Sequence, residues 1–383
     1  MVATPTAMAV PPAQGAAPSS PAAPWLAGLA GAPLPSRREE DWRFTDLAAL
    51  TAIEPRVIAV ADPLATIELP AGVHRLEPTA VAPWLGQALA ATASADHWPV
   101  RLNSGAGNTP VLALRVSGAA GTLELPLEAG CAAGLAAFRL LLVLEAGASL
   151  ELLLRPSSSG ANALSLVGEV ILESGASLKL GSLAQGAPGS CLLQHTAVLQ
   201  ASGSRFEHTA VCGGWALARQ EPRILQSDGA ASTRLRGLQV CRDTQLADTH
   251  SWVRFDGPEG ELDQLHKAVV DNQARSVFNG AVRVPRSAQR TNAAQLSRSL
   301  LLSDRARIDT TPELEIVADD VKCAHGATVS RLQIEELFYL QSRGIGAHQA
   351  AQLLQRAFCE EVLRELPAAA IAHQPLLALL GEP

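Results

Sequence analysis

One nine-residue unit in the middle of this chain returns at fixed spacing. Leu144-Glu-Ala-Gly-Ala-Ser-Leu-Glu-Leu152 reappears as Leu172-Glu-Ser-Gly-Ala-Ser-Leu-Lys-Leu180, 28 residues later. Weaker echoes follow at Leu199-Gln-Ala-Ser-Gly-Ser204, Leu225-Gln-Ser-Asp-Gly-Ala230 and Leu302-Ser-Asp-Arg-Ala-Arg-Ile308, and an earlier one reads Gly121-Thr-Leu-Glu-Leu125. Each unit is a short apolar strand, a corner of small residues, and a second strand. Gly, Ser and Asp suit such corners because they accept the required backbone angles or bond their own backbone. The flanking stretches Leu164–Leu172 and Leu192–Leu199 alternate loosely with period two. No long helical pattern separates them, so the crossover helix that βαβ units need is missing. Strand-only repeats of this length predict a parallel β-helix. On pattern alone the alternative is an antiparallel sandwich or barrel, although sandwich turns seldom repeat one motif at constant offset.

The segments on either side read differently. Residues 1–24 are rich in Ala, Pro and Ser and contain no Lys or Arg. They read as a disordered tail, not as a secretory signal or a mitochondrial transit peptide. Residues 25–100 read as a mixed, partly helical region. Ser36-Arg-Arg-Glu39 is placed to cap a helix through Glu40, Trp42, Phe44 and Leu47, and a second helix is expected from Thr79 to about Ala93. The repeats fill 101–330. Residues 331–383 return to helical spacing: Ile334, Leu337, Phe338 and Gln341, with Gly344 at a C-cap position, then Ala350, Leu353, Leu354, Ala357, Phe358 and Val362 on one face. Pro367 ends that helix.

Composition narrows the function classes. The net charge is −7, lysines occur only at 179, 267 and 322, and no basic run is present. That argues against a nucleic-acid partner. The longest apolar stretch, about 138–154, is interrupted by Arg139, Glu145, Gly147 and Glu151, so no membrane insertion is expected. The six cysteines stand apart with no CxxC pair, which fits a reducing, cytoplasmic setting. There is no GxxxxGK[ST], GxGxxG after a strand, HExxH or GxSxG. The chain therefore has no sequence signature for binding a nucleotide and reads as a non-catalytic subunit.

The richest chemistry lies in Glu313-Leu-Glu-Ile-Val-Ala-Asp-Asp-Val-Lys-Cys-Ala-His-Gly-Ala-Thr328. If 319–325 is extended, Asp319, Val321, Cys323 and His325 share a face. A thiolate and a neutral imidazole two residues apart are compatible with two ligands on one iron or zinc. They fall short of the three or four a stable site needs, so a partner would supply the rest. The alternative is a buried Cys and a hydrogen-bonded His. His195, His208, His250 and His266 read as satisfied or solvated histidines. Cys131, Cys191, Cys212 and Cys241 read as small buried hydrophobes. Asp319 and Asp320 read as turn or solvated carboxylates ahead of general acid/base groups.

The same segment, from Pro312 to Thr328, is very similar to the signature of the SufB/SufD family of iron–sulfur cluster assembly proteins. So are Phe338-Tyr-Leu-Gln-Ser-Arg-Gly-Ile345, Leu265-His-Lys267, Val277-Phe-Asn-Gly280, Ala288-Gln-Arg-Thr-Asn-Ala293 and, near the start, Ser36-Arg-Arg-Glu-Glu-Asp-Trp-Arg-Phe-Thr-Asp-Leu47. The likeness is dense from 248 to 362 and sparse between 50 and 240. Asp-Asp-Val-Lys-Cys-Ala-His-Gly-Ala-Thr resembles the SufD form of the strand, where SufB has a Glu-His-Glu-Ala-Thr pattern. Ala324 departs from the usual Ser but stays small.

The resemblance implies a mainly β fold: a right-handed parallel β-helix flanked by N- and C-terminal helical regions. It implies a heterodimer with SufB and binding of the ABC-type ATPase SufC through the C-terminal helical part, with Phe338, Tyr339, Arg343 and Gly344 in the docking segment. It leaves room for a homodimer when the chain is alone. It carries a cluster-assembly role at the SufB interface over to His325, with Cys323 a less direct participant. A transient iron–sulfur cluster, or iron, would be shared with SufB, and SufC would supply the nucleotide chemistry. The competing readings are a structural β-solenoid interaction protein without a metal role and a β-helical carbohydrate-active enzyme. The second is disfavoured by an aromatic content of 4%.

Overall fold

Leu144 and Leu172 lie side by side on neighbouring parallel strands, as do Ser149 and Ser177. The repeat is therefore one coil of a parallel solenoid. The computed structural model describes residues 22–107 and 111–381. The helices before the solenoid are α1 Ala22–Ala30, α2 Ala48–Thr51, α3 Pro78–Val81, α4 Gln87–Ala91 and α5 Trp98–Gly105. The strands are β1 Val73–Arg75, β2 Val111–Val116, β3 Ala119–Glu128, β4 Gly134–Leu144, β5 Ser149–Ser157, β6 Asn162–Leu172, β7 Ser177–Gln185, β8 Cys191–Gln200, β9 Arg205–Gly213, β10 Leu217–Gln226, β11 Ser232–Cys241, β12 Leu246–Phe255, β13 Glu261–Val270, β14 Arg275–Val284, β15 Asn292–Leu301, β16 Arg307–Ile316 and β17 Lys322–Ser330. After them come α6 Ile334–Ser342, α7 Ala347–Leu363 and α8 Pro375–Leu380.

Even-numbered strands from β2 to β16 build one parallel sheet, with β1 added antiparallel to β2, and odd-numbered strands from β3 to β17 build the other. Each coil contributes one strand to each sheet. The corner glycines Gly147, Gly175 and Gly203 recur at the repeat spacing with φ of +70, +70 and +67°, a conformation that disfavours any side chain. The Leu199 echo is one residue out of step with this ladder, because Leu172 pairs with Gln200. Leu302–Ile308 joins β15 to β16 and so forms the opposite corner.

Between the sheets, side chains stack in columns. One column runs Leu142, Val170, Val198, Ile224, Val253, Val282 and Leu314 through successive coils. Part of each outer face is covered too. The N-terminal region packs Leu26, Trp42, Leu50 and Trp98 on Leu135, Leu193 and Leu217 of the even sheet. The C-terminal helices pack Cys359, Val362, Leu363 and Leu366 on Val211, Leu238 and Val269 of the odd sheet. The apolar stripe of α7 thus covers a sheet face and not the solenoid end. Leu353 and Ala357, expected on that stripe, are exposed.

The two ends of the solenoid differ. At the first coil, β1 pairs with β2, and Leu64 and Val73 are buried in the interior cluster beside Ile58, Ile67 and Leu69. At the last coil, β16 and β17 end their sheets, and both are largely exposed or half-buried.

Two expected helices are shorter than read. Ser36 N–H does bond the Glu39 carboxylate at 2.8 Å, but only a 3-10 turn, Glu40–Trp42, follows. The chain leaves the helix to bury Trp42 under Arg219, whose guanidinium carbon lies 3.8 Å from the ring centroid. The second helix divides into α3 and α4 because Pro83 and Gly86 (φ +90°) intervene. Residues 1–21 of the expected tail lie outside the described residues, and Ala22–Pro24 already belong to α1. Strands occupy Val111–Ser330 of the span 101–330, whose first residues lie in α5.

Candidate functional site at the open end

The extended run begins at Lys322, and Asp319 and Asp320 are exposed in the bend before it. The backbone of Asp320 closes that bend, donating to the Gln289 side chain at 3.0 Å and accepting from Arg290 N–H at 2.6 Å. Along β17, Cys323 pairs with Ala293 and His325 with Gln295 of β15. Cys323 packs against the interior cluster, so its face, and that of His325 two residues on, is the inner one. The alternation read from the sequence is correct for this pair. Cys323 is half-buried, and its thiol pKa is raised by burial, partly offset by a backbone hydrogen bond at Ala293. His325 is exposed. A thiol and an imidazole therefore stand at the rim of the interior, on the last strand of the odd sheet.

The interior changes character on the way to this rim. The column leading to His325 begins Leu123, Leu152, Leu180, continues through His208, Leu235, Gln264 and Gln295, and ends at His325. Gln295 donates to the Gln264 carbonyl at 2.9 Å, and Gln264 donates to the Ser251 hydroxyl at 2.7 Å. His208 and His266 are buried beside a small cavity of about 30 Å³ that Gln194, Gln220 and Gln264 also line. A Cβ on Gly237 would sit 2.6 Å from the His266 ring, so the missing side chain makes room for it. Burial pushes the imidazole of His208 down to about 4 and that of His266 to about 3, the latter against a small opposing pull from Asp248. Both rings are neutral at pH 7. Neither ring nitrogen of His266, nor Nε2 of His208, has a protein partner.

The C-terminal helices present the other expected surface. Among the residues of α6 none is buried: Ile334, Phe338 and Tyr339 are 79, 70 and 58% exposed. Arg343 lies over the Tyr339 ring at 5.3 Å, and Gly344 follows with φ +86°, closing the helix. Lys267 is buried under α7, donating to the Phe358 carbonyl at 2.7 Å and to Glu361 at 2.5 Å.

Two further placements differ from the sequence reading. Cys131 is exposed, while Cys191, Cys212 and Cys241 are buried as expected. A buried polar network on the outer face of the even sheet was not anticipated. Arg219 donates to Glu221 and to Asp248, each at 2.5 Å, and to the Asp41 carbonyl at 2.9 Å, and Thr45 also bonds Asp248. Its signal in the sequence was the pair Arg219 and Glu221, which alternation places on one face of a strand.

Comparison with known proteins finds relatives over the solenoid region. The family model described as "SUF system FeS cluster assembly, SufBD core domain" matches residues 129–358. An iron–sulfur cluster assembly SufBD family protein of Synechocystis is 45% identical over 176 residues, covering 46% of this chain and 39% of that protein. The chloroplastic protein ABCI7 of Arabidopsis thaliana is 40% identical over 207 residues, 54% of this chain and 44% of its own. The iron–sulfur cluster assembly protein SufD of Escherichia coli is 35% identical over 185 residues, 48% of this chain and 43% of its own. The matched segments thus span less than half the length of each of these relatives.

Proposed function

This chain belongs to the SufBD family of the SUF iron–sulfur cluster assembly system, and from that premise we propose that it is a scaffold subunit whose open solenoid end pairs with SufB. The observation that carries the reading is the position of Cys323 and His325 on the inner face of the exposed terminal strand β17. Unpaired strand edges recruit other edges. A related solenoid end is the complementary surface, and it would bring a second set of ligands to the same rim. Iron and sulfide are cargo at this seam, not resident cofactors. Two ligands from one chain hold metal too weakly to retain it alone, which suits a site that must release its product.

Docking of SufC is assigned to the exposed face of α6 and the turn that follows it. Ile334, Phe338 and Tyr339 offer apolar area there, and Arg343 and Gly344 shape the turn. In this reading SufC supplies nucleotide hydrolysis and this chain supplies geometry.

The test is coexpression with SufB and SufC, followed by anaerobic purification. His325→Ala is expected to leave melting temperature and SufB copurification unchanged while iron and sulfide per complex fall severalfold. Cys323→Ser is as severe if the thiolate is a ligand and milder if SufB provides it. A stable His325→Ala complex carrying a full complement of iron and sulfide refutes the rim site. Capture of SufC unchanged by Phe338→Asp with Tyr339→Asp moves the docking surface elsewhere.

A further inference from the structure

The buried network that fastens the N-terminal region to the even sheet contains a group of potential metal ligands. His97 belongs to the turn before α5, His195 to β8 and Glu221 to β10. Ligand atoms of the three lie within 4.8 Å of one another, the one such group of three or more among the described residues. The Glu221 Oε2 atom is 3.0 Å from His195 Nδ1 and 3.3 Å from His97 Nδ1. Adjacent ligands on one tetrahedral ion, with bonds of about 2.0–2.1 Å, stand roughly 3.0–3.4 Å apart. The two separations from Glu221 Oε2 match that spacing, and ligand atoms of the two imidazoles lie within 4.8 Å of each other.

The surroundings fit such an ion. Arg219 engages the other carboxylate oxygen, Oε1, so it orients Glu221 while leaving Oε2 free to ligate. The remaining charge of Arg219 is met by Asp248. Burial would raise the Glu221 carboxyl, but Arg219 and the two imidazoles override it and hold the group well below the usual carboxylate range. Burial keeps His195 neutral, and its Nε2 has no partner, so the carboxylate is the ring's one polar anchor. Two cavities, of about 240 and 380 Å³, both reach His97 and Glu221. They give an ion a route in and leave a coordination position for water.

We propose that His97, His195 and Glu221 form a second metal site, for a divalent first-row transition ion, that ties the N-terminal region to the solenoid. Two imidazoles and one carboxylate select zinc or ferrous iron over calcium or magnesium. The site lies on the outer face of the even sheet, whereas Cys323 and His325 line the interior side of the odd one.

The experiment uses the full chain carrying Cys323→Ser and His325→Ala, so that the rim cannot contribute, after treatment with a chelator. Cobalt(II) is titrated by absorption and zinc(II) by calorimetry. One equivalent is expected, with visible bands of nitrogen and oxygen ligation and no thiolate charge-transfer band. His195→Ala and Glu221→Gln should each weaken binding by more than about 100-fold, since even loss of a supporting partner costs 10–100-fold. His97 is partly exposed, so His97→Ala tests the site without a buried vacancy. It should weaken zinc and abolish the zinc-dependent rise in melting temperature. No bound equivalent in the starting chain, a thiolate-type spectrum, or affinity unchanged by His97→Ala would each overturn the proposal.

Discussion

The first and last coils of the solenoid share one backbone plan but differ in how polar a core they enclose. Between β4 and β7 the inner columns hold Phe138, Leu140, Leu152, Leu166 and Leu180, all nearly inaccessible to solvent. Between β12 and β17 the same columns hold Thr249, Ser251, Gln264, Gln295 and His325. Parallel main-chain ladders run through both halves, so they do not make the difference. Coil length varies as well: Leu144 pairs 28 residues ahead with Leu172, Leu199 pairs 26 ahead with Leu225, and Val284 pairs 32 ahead with Ile316. The early coils are filled for stability by apolar contact. The late coils give up some of that contact for hydrogen-bonded amides leading to the rim.

The contrast breaks hardest in the apolar half. Phe138→Ala should cost about 3–5 kcal/mol, because it removes buried area and leaves a cavity between packed leucines. A denaturant midpoint that moves by less than a quarter of this would mean that the early coils repack freely.

Acid sharpens the comparison from the polar side. His208 and His266 are held neutral in the fold at about 4 and about 3, while unfolded imidazoles titrate near 6.5. Below about pH 6.5 the unfolded chain therefore binds more protons. Stability is complete above that pH and is lost progressively as pH falls towards 4, by an amount on the order of a few kcal/mol. Denaturant midpoints from pH 7 to 4.5 measure it. The double variant His208→Gln with His266→Gln should flatten the slope, and an unaltered slope would assign it to other groups.

A smaller effect is expected at Gln295→Leu, which leaves the Gln264 carbonyl without its donor, at about 1–3 kcal/mol. Adding Gln264→Leu should recover part of it. Strict additivity, measured by a double-mutant cycle, would indicate that the two amides do not act as a unit. The smallest change belongs to His325→Ala, within about 0.5 kcal/mol, as for other exposed positions. A large loss there would make the ring a packing element.

The solenoid was readable because one corner, with its glycine ladder, recurs at a constant offset while the strands around it alternate. Alignment on leucines instead of glycines put the Leu199 echo out by one. It also gathered Leu302–Ile308 from the opposite corner. The shared face of Cys323 and His325 followed from alternation within one strand. The network around Arg219 did not follow, because its partners come from different coils and from the N-terminal region: Glu221 meets His195 at a separation of 26 residues and His97 at 124. The helices after Ser36 and Thr79 were overestimated because local capping signals do not anticipate Trp42 turning away to meet Arg219, and Pro83 and Gly86 outweigh the surrounding helix formers.

The asymmetry of the two ends sets a limit on growth. A solenoid with both mouths uncovered can stack on its neighbours indefinitely, and the product is a fibre. Here β1 and the segment around Leu64 occupy the first mouth, so in the proposed pairing the last coil is the end that joins. Two such chains would then cover each other's last coils in a single event and leave little edge to propagate. In that pairing, the number of subunits along the solenoid axis would depend on a three-residue antiparallel strand far from the seam.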